Sequence, residues 1–107
     1  MNMSTANITD NEVAHIGKAL GDPNRLSIYT HIAQNDELYC GEIHAKHAIS
    51  AATLSHHLKV LTDLGLITSR KEGQNIFYRV VPARLTAYLS YLNDIATRAM
   101  PLTASAL

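Results

Sequence analysis

Three groups of residues in this chain have side chains able to do chemistry, at spacings that would gather each group. The first lies between Ser50 and Leu64. If Leu54, Leu58, Leu61 and Leu64 form the inner face of a helix, the opposite face carries Ala52, Ser55, His56, Lys59, Thr62 and Asp63 at intervals of three and four. Hydroxyl, imidazole and ammonium groups so placed can hydrogen-bond phosphates or base edges. Ser50 and Thr53 add to the set at the helix start, where the helix end carries partial positive charge. His57 falls three residues after Leu54 and four before Leu61, on the packed face, and reads as structural; His56 points outward. The second group is Arg70, Lys71, Gln74, Asn75 and Arg79, around the turn Glu72-Gly73-Gln74. It suits contact with phosphates or a minor groove. Taken alone, the first group also fits a solvated polar face and the second a charged solubilising turn.

The third group is Cys40, His44 and His47, at i, i+4 and i+7. On one helical face, a thiolate and two imidazoles would suit zinc as Zn(II) or copper as Cu(I), with a fourth ligand from water or another residue. Cys40 has two other readings: a redox switch through sulfenylation or an intersubunit disulfide, and a small buried hydrophobe. His44 and His47 can equally be ordinary helix residues. Surface or packing positions account for His15 and His31.

These residues need elements to hold them. Residues 1–9 are small and polar and read as a loose leader, with Asp10 as a helix cap. Val13, Ile16, Ala19 and Leu20 trace a first helix ending at Gly21, where a left-handed residue is easily accommodated. Asp22-Pro23 starts a second, with Leu26, Tyr29, Ile32 and Ala33 as its apolar stripe and Asn35-Asp36 as its turn. A short third helix over CGEIHAKH leads through Ala48-Ile49 to the fourth, which Ser50 caps and Gly65 ends. The runs LITSRK and NIFYRV read as a hairpin closed by Pro82. Leu85, Tyr88, Leu89, Leu92, Ile95, Ala96 and Ala99 trace a long final helix stopping before Pro101. The expected fold is mainly α with a small β-hairpin: a winged helix-turn-helix of five helices plus a wing over residues 10–100, with a tail at 101–107.

Composition narrows the function classes. With 107 residues, 47% of them apolar, the chain suits one folded domain. A lone cysteine excludes an internal disulfide and fits a reducing cytoplasm. No run of 18 apolar residues and no basic-then-apolar N-terminus occurs, so neither membrane span nor export is expected. The formal charge is zero, but unevenly distributed. Residues 1–43 hold two bases against six acids, a balance of −4, and residues 44–84 hold six bases against two acids, a balance of +4. Such asymmetry suits one face meeting a polyanion. An enzyme is a poor reading, because Cys40 and a nearby His have no orienting third group and no Gly-rich phosphate loop occurs. The rival is a protein-interaction module that uses the wing or third helix without reading DNA.

The blocks ALGDPNRLSIY, ISAATLSHHLKVLTDLGLI and SRKEGQNIFYRV resemble, in that order, the arsenical-repressor (ArsR) family of bacterial winged-helix regulators, over about residues 14–95. The resemblance implies a homodimeric repressor that binds operator DNA, pairs through its first and last helices and is often released by a metal, metalloid or oxidant. Of the family's metal-sensing sites, a thiolate pair near the third helix is absent, since Tyr39 and Gly41 stand where cysteines would. The final-helix site is missing too, with Arg84 near where an imidazole would lie. Binding without an inducer is also compatible. At the family's polar recognition-helix start this chain has Ala51 and Ala52. The dimer has an independent rationale. Val13, Ile16, Leu85, Leu89, Leu92 and Ile95 would form an interface, and the last four make a large exposed stripe unless a second copy covers it. Two-fold pairing would set two recognition helices about 34 Å apart, one turn of DNA.

Overall fold

The computed structural model describes residues 8–99. The first helix, α1 (Asp10–Leu20), is capped by Thr9 rather than Asp10. The Thr9 hydroxyl accepts the Glu12 N–H at 3.1 Å and the Glu12 carboxylate accepts the Thr9 N–H at 2.8 Å, a reciprocal box that satisfies two otherwise orphaned donors. Ile8, expected in the loose leader, is buried in the core instead; it stands just before the cap, where an apolar side chain sets the entry angle of the chain. The leader at 1–7 and the tail at 101–107 lie outside the described residues.

Asp22 caps α2 (Pro23–Ala33) by accepting the Arg25 N–H at 3.0 Å, and Pro23 fills the first turn as its fixed φ suits. Gly21 is not left-handed: its φ is −75°. A side chain there would crowd the Gly17 carbonyl oxygen, 3.2 Å from an added Cβ. The inner face of α2 is Ile28, Tyr29 and Ile32, whereas Leu26, expected in the stripe, is 45% exposed and Ala33 is exposed as well. The true face is rotated from the one the apolar residues suggested.

A two-residue strand, β1 (Leu38–Tyr39), precedes α3 (Cys40–Ala45), which ends two residues before His47. The helix α4 (Ala51–Asp63) starts from Ser50, whose hydroxyl accepts the Thr53 N–H at 3.1 Å, and the chain leaves it through Gly65 at φ +76°, a conformation that suits glycine. The wing strands β2 (Ile67–Glu72) and β3 (Asn75–Val80) pair antiparallel from Ile67↔Val80 to Glu72↔Asn75, around Gly73 at φ +62°. The strand β1 adds to the other edge of β3 through Leu38↔Tyr78 and Tyr39↔Phe77, giving the order β1-β3-β2. Pro82 opens the last helix, α5 (Pro82–Ala99), rather than merely closing a strand.

Ile16, Ile28, Ile32, Ile43, Leu54 and Leu61 from the first four helices meet Leu66 and Ile67 at the root of the wing in a single core. Among the described residues this makes five helices and a three-stranded antiparallel sheet, a winged helix-turn-helix with α3 and α4 as its paired helices. No helix among them is long and apolar enough to cross a membrane.

Candidate nucleic-acid interface

The anchoring of α4 decides which of its side chains are free. Leu54, His57, Leu58 and Leu61 are buried, so Ser55, His56 and Lys59 on the opposite side are exposed. His57 is a strut. Its Nδ1 accepts from Arg25 Nε at 3.2 Å, and Arg25 Nη1 donates onward to the Ala19 carbonyl at 3.2 Å, tying α4 to the α1–α2 corner. Burial first, and then the Arg25 guanidinium, push the His57 imidazole below its ordinary pKa, so it stays neutral and keeps a lone pair for that bond. Ser50 is occupied by its own helix: besides capping, its hydroxyl donates to Thr53 Oγ1 at 2.9 Å. Lys59 meets only Asp63, at 3.1 Å between two largely exposed side chains, a pairing that water screens.

In the wing, the basic residues divide. Arg70 is committed to the protein: it grips Glu37 with two bonds of 2.7 and 2.9 Å, reaches Glu72 at 3.0 Å and lies over the Phe77 ring at 4.5 Å. The same guanidinium holds the Glu37 carboxyl below the usual range. Arg79 faces Asp36 at 3.4 Å. Lys71, Gln74 and Asn75 stand exposed beside the turn, and no ion pair engages Lys71 among the described residues.

The charge asymmetry of the sequence is partly offset in the fold. Arg70, Arg79 and Arg84 from the basic segment pair with Glu37, Asp36 and Glu12 from the acidic one. Arg84 also donates from Nε to the Leu64 carbonyl at 2.9 Å and so binds α5 to the end of α4. Lys46 and Lys71 enter no ion pair among the described residues, and the pairs of Lys59 with Asp63 and of Arg79 with Asp36 both lie in water that screens them.

The set Cys40, His44 and His47 does not assemble. Because α3 stops at Ala45, His47 leaves the helical face that would have aligned the three. His44 Nε2 bonds the Ile49 carbonyl at 2.9 Å, and His47 Nε2 lies 3.3 Å from His31 Nδ1. No group of three His, Cys, Asp or Glu able to hold a metal occurs among the described residues. The partnership of His31 with His47 was invisible in sequence, where the two lie on separate elements.

The expected interface residues also divide. Ile16 is completely covered inside the chain and has nothing to offer a partner, while Val13 and Leu85 are half-buried against the chain's own core. Leu89, Leu92 and Ile95 on α5 are exposed by 53%, 38% and 52%, a stripe left open. Tyr91, on the same helix, donates to Asp10 at 2.6 Å, so α5 is tied to α1.

Comparison with known proteins places this architecture. A helix-turn-helix domain family matches residues 20–70. The arsenical resistance operon repressor of Staphylococcus aureus is 38% identical over 91 residues, covering 80% of this chain and 82% of the relative. The chain belongs to the ArsR family. Like its relatives in that family, it is a DNA-binding transcriptional regulator. Another relative, the transcriptional activator HlyU of Vibrio cholerae, is 33% identical over 82 residues, covering 77% of this chain and 75% of its own. Among solved structures, an ArsR-like regulator from Rhodococcus superposes with a TM-score of 0.74 at 27% identity, over 82% of each chain. The homodimeric winged helix-turn-helix domain of Mb0332 from Mycobacterium bovis superposes with a TM-score of 0.63 at 30% identity, over 89% of this chain and 95% of that one. Within this ArsR-family frame, α3 and α4 are the helix-turn-helix pair and β2–β3 is the wing.

Proposed function

We propose that this ArsR-family regulator works as a homodimer in the cytoplasm, binds a two-fold operator in duplex DNA and represses transcription from it, with no catalytic activity. The observation that carries the reading is the division of α4: a buried face held by Leu54, His57, Leu58 and Leu61, and an outer face with Ser55 and His56 exposed in its first half. A rigidly seated helix with short polar groups near its N-terminal half is the form that enters a major groove. Ser55 and His56 read base edges there, with Thr53 beside them, while Lys59 and the wing residues Lys71, Gln74 and Asn75 hold phosphates. Ser50 contributes through capping α4, and Arg70 through stiffening the wing. The open stripe of Leu89, Leu92 and Ile95 joins two copies so that both α4 helices face one side of the duplex. The homodimeric M. bovis neighbour supports the assembly and the S. aureus repressor supports the sign of regulation.

The test is footprinting on fragments of the source genome at low salt, followed by competition with unrelated duplex. His56→Ala is expected to lose about 1 to 2 kcal/mol of discrimination at one base pair per half-site, roughly a ten-fold fall in preference. A monomer that ignores every duplex, or partner binding insensitive to salt, would instead support the protein-interaction reading of the fold.

A further inference from the structure

His31, in the last turn of α2, and His47, in the turn between α3 and α4, lie side by side in the wall of an open groove of about 800 Å³. Their facing nitrogens, His31 Nδ1 and His47 Nε2, are 3.3 Å apart, a hydrogen bond in which one neutral ring donates and the other accepts. Lys46 lines the same groove and enters no ion pair among the described residues. No carboxylate among those residues lines it: Asp36, next in sequence to its rim, faces Arg79, and Glu37 is held by Arg70. Three nitrogen bases therefore share a concave surface without a counter-charge. The crowding registers at His47, whose imidazole is held below its ordinary pKa first by burial and then by His31. Thr30 and Asn35 are committed to the chain itself, donating to the Leu26 and His31 carbonyls, which leaves Ser27 and Gln34 as the other polar groups of the wall. The exposed side chain of Leu26 and the ring of Pro23 add an apolar patch.

We propose that this groove binds the phosphate group of a small phosphomonoester, with Lys46, His31 and His47 as its cationic donors and with Leu26 and Pro23 against the organic body. At neutral pH a phosphomonoester carries a charge of about −1.5 to −2 and three strong acceptor oxygens, enough to engage the ammonium and both imidazoles together. A carboxylate brings two oxygens and a single charge. Hydrogen bonds between ionised partners of this kind are roughly twice as strong as neutral ones. The volume falls within the range of about 300 to 1,000 Å³ that small-molecule sites occupy, and the apolar patch gives the rest of such a molecule a surface to cover. Binding takes up a proton. In the empty groove the outer nitrogen of the donating ring carries a lone pair. It takes a proton from solvent, the bond between the rings persists, and both outer nitrogens then have hydrogens to donate. The pair titrates as a unit, so the added charge belongs to both rings. His31 from α2 and Lys46 and His47 from the turn are the titratable groups of the lining, so no acid there competes with the anion.

The proposal does not depend on DNA binding. Tag-free protein is titrated with phenyl phosphate and, separately, with inorganic phosphate. Calorimetry at pH 7.5 in two phosphate-free buffers of different ionisation enthalpy gives stoichiometry and proton uptake, and NMR of the histidine ring nitrogens gives location. One phenyl phosphate per chain is expected, bound at least as tightly as inorganic phosphate, with proton uptake and the largest changes at His31 and His47. Lys46→Gln and His47→Gln should each weaken binding by about ten-fold, whereas Lys18→Gln, on the exposed side of α1, should not. Proton uptake should vanish when His31→Gln and His47→Gln are combined. Circular dichroism verifies that every variant is folded. A groove that takes a backbone phosphate of DNA instead would leave these rings unmoved by phenyl phosphate and move them with a short duplex, and that result overturns the small-molecule site. The proposal also fails if phenyl phosphate shows no saturable binding, if it binds without proton uptake, or if Lys46→Gln and Lys18→Gln weaken it equally.

Discussion

Truncating Leu89 to alanine tests the assembly most directly. In the single chain, 53% of this residue is exposed on α5. Full burial of a leucine side chain contributes about 1.5 to 3 kcal/mol, so the open half represents about 1 kcal/mol still to be gained. A two-fold interface uses the same residue twice, and Leu89→Ala should therefore cost about 2 kcal/mol per dimer. That corresponds to roughly a thirty-fold rise in the dimer dissociation constant. The fold of each chain should be spared: Leu89 faces away from the core, and alanine is at least as good a helix former. Sedimentation equilibrium over a concentration series measures the constant, and thermal unfolding under dissociating conditions checks the isolated chain. The reasoning is refuted if wild type is monomeric at every concentration, or if Leu89→Ala leaves the dimer constant where it was.

Two further outcomes follow from the charges. Because Lys71 is accessible while Arg70 is gripped by Glu37 and Glu72, Lys71→Ala should flatten the salt dependence of DNA binding by about 1.8 in log–log slope per dimer. Arg70→Ala should leave that slope nearly unchanged while loosening the wing; equal changes of slope in the two variants would overturn the division. Acid should destabilise the fold in two stages. His57 and His47 are held below the ordinary histidine value of 6.5, chiefly by burial, so the folded chain prefers both neutral. Their contribution is complete above about pH 6.5, where the unfolded chain begins to take up protons, and is lost as pH falls through the lower folded values. Glu12, Asp22 and Glu37 are also lowered, mainly by hydrogen bonds from Thr9, Arg25 and Arg70 respectively. Their contribution is present above about pH 4.5 and fades below it, which adds the second stage. Urea unfolding between pH 7.5 and 3.5 follows both, and stability flat down to pH 5 would contradict the first.

Much of the candidate interface was legible because α4 is locally specified. Leu54, Leu58 and Leu61 recur at helical spacing, Ser50 can cap and Gly65 can leave in a left-handed turn; these features act within a few residues of one another and sorted His56 from His57 correctly. The wing was legible for the same reason, from two β-prone runs around Gly73. Less local features were misread. The strand β1 has only two residues, too few for any periodicity, and exists because β3 offers its free edge. Leu26 and Ile28 are both apolar and close in sequence, and only the position of the neighbouring helices decides that Ile28 is buried and Leu26 is not.

The sequence by itself determined the order of the five helices and the two wing strands, the inner and outer faces of α4 and the apolar stripe of α5, since each depends on side chains within one or two turns of each other. Only the tertiary structure decided which charges remain free, because Arg70, Arg79 and Arg84 find Glu37, Asp36 and Glu12 across 33, 43 and 72 residues. It likewise separated His47 from Cys40 and gave it to His31. An ion pair or an imidazole pair forms over a few ångströms of space, and the chain brings such distant partners together only after its core has closed.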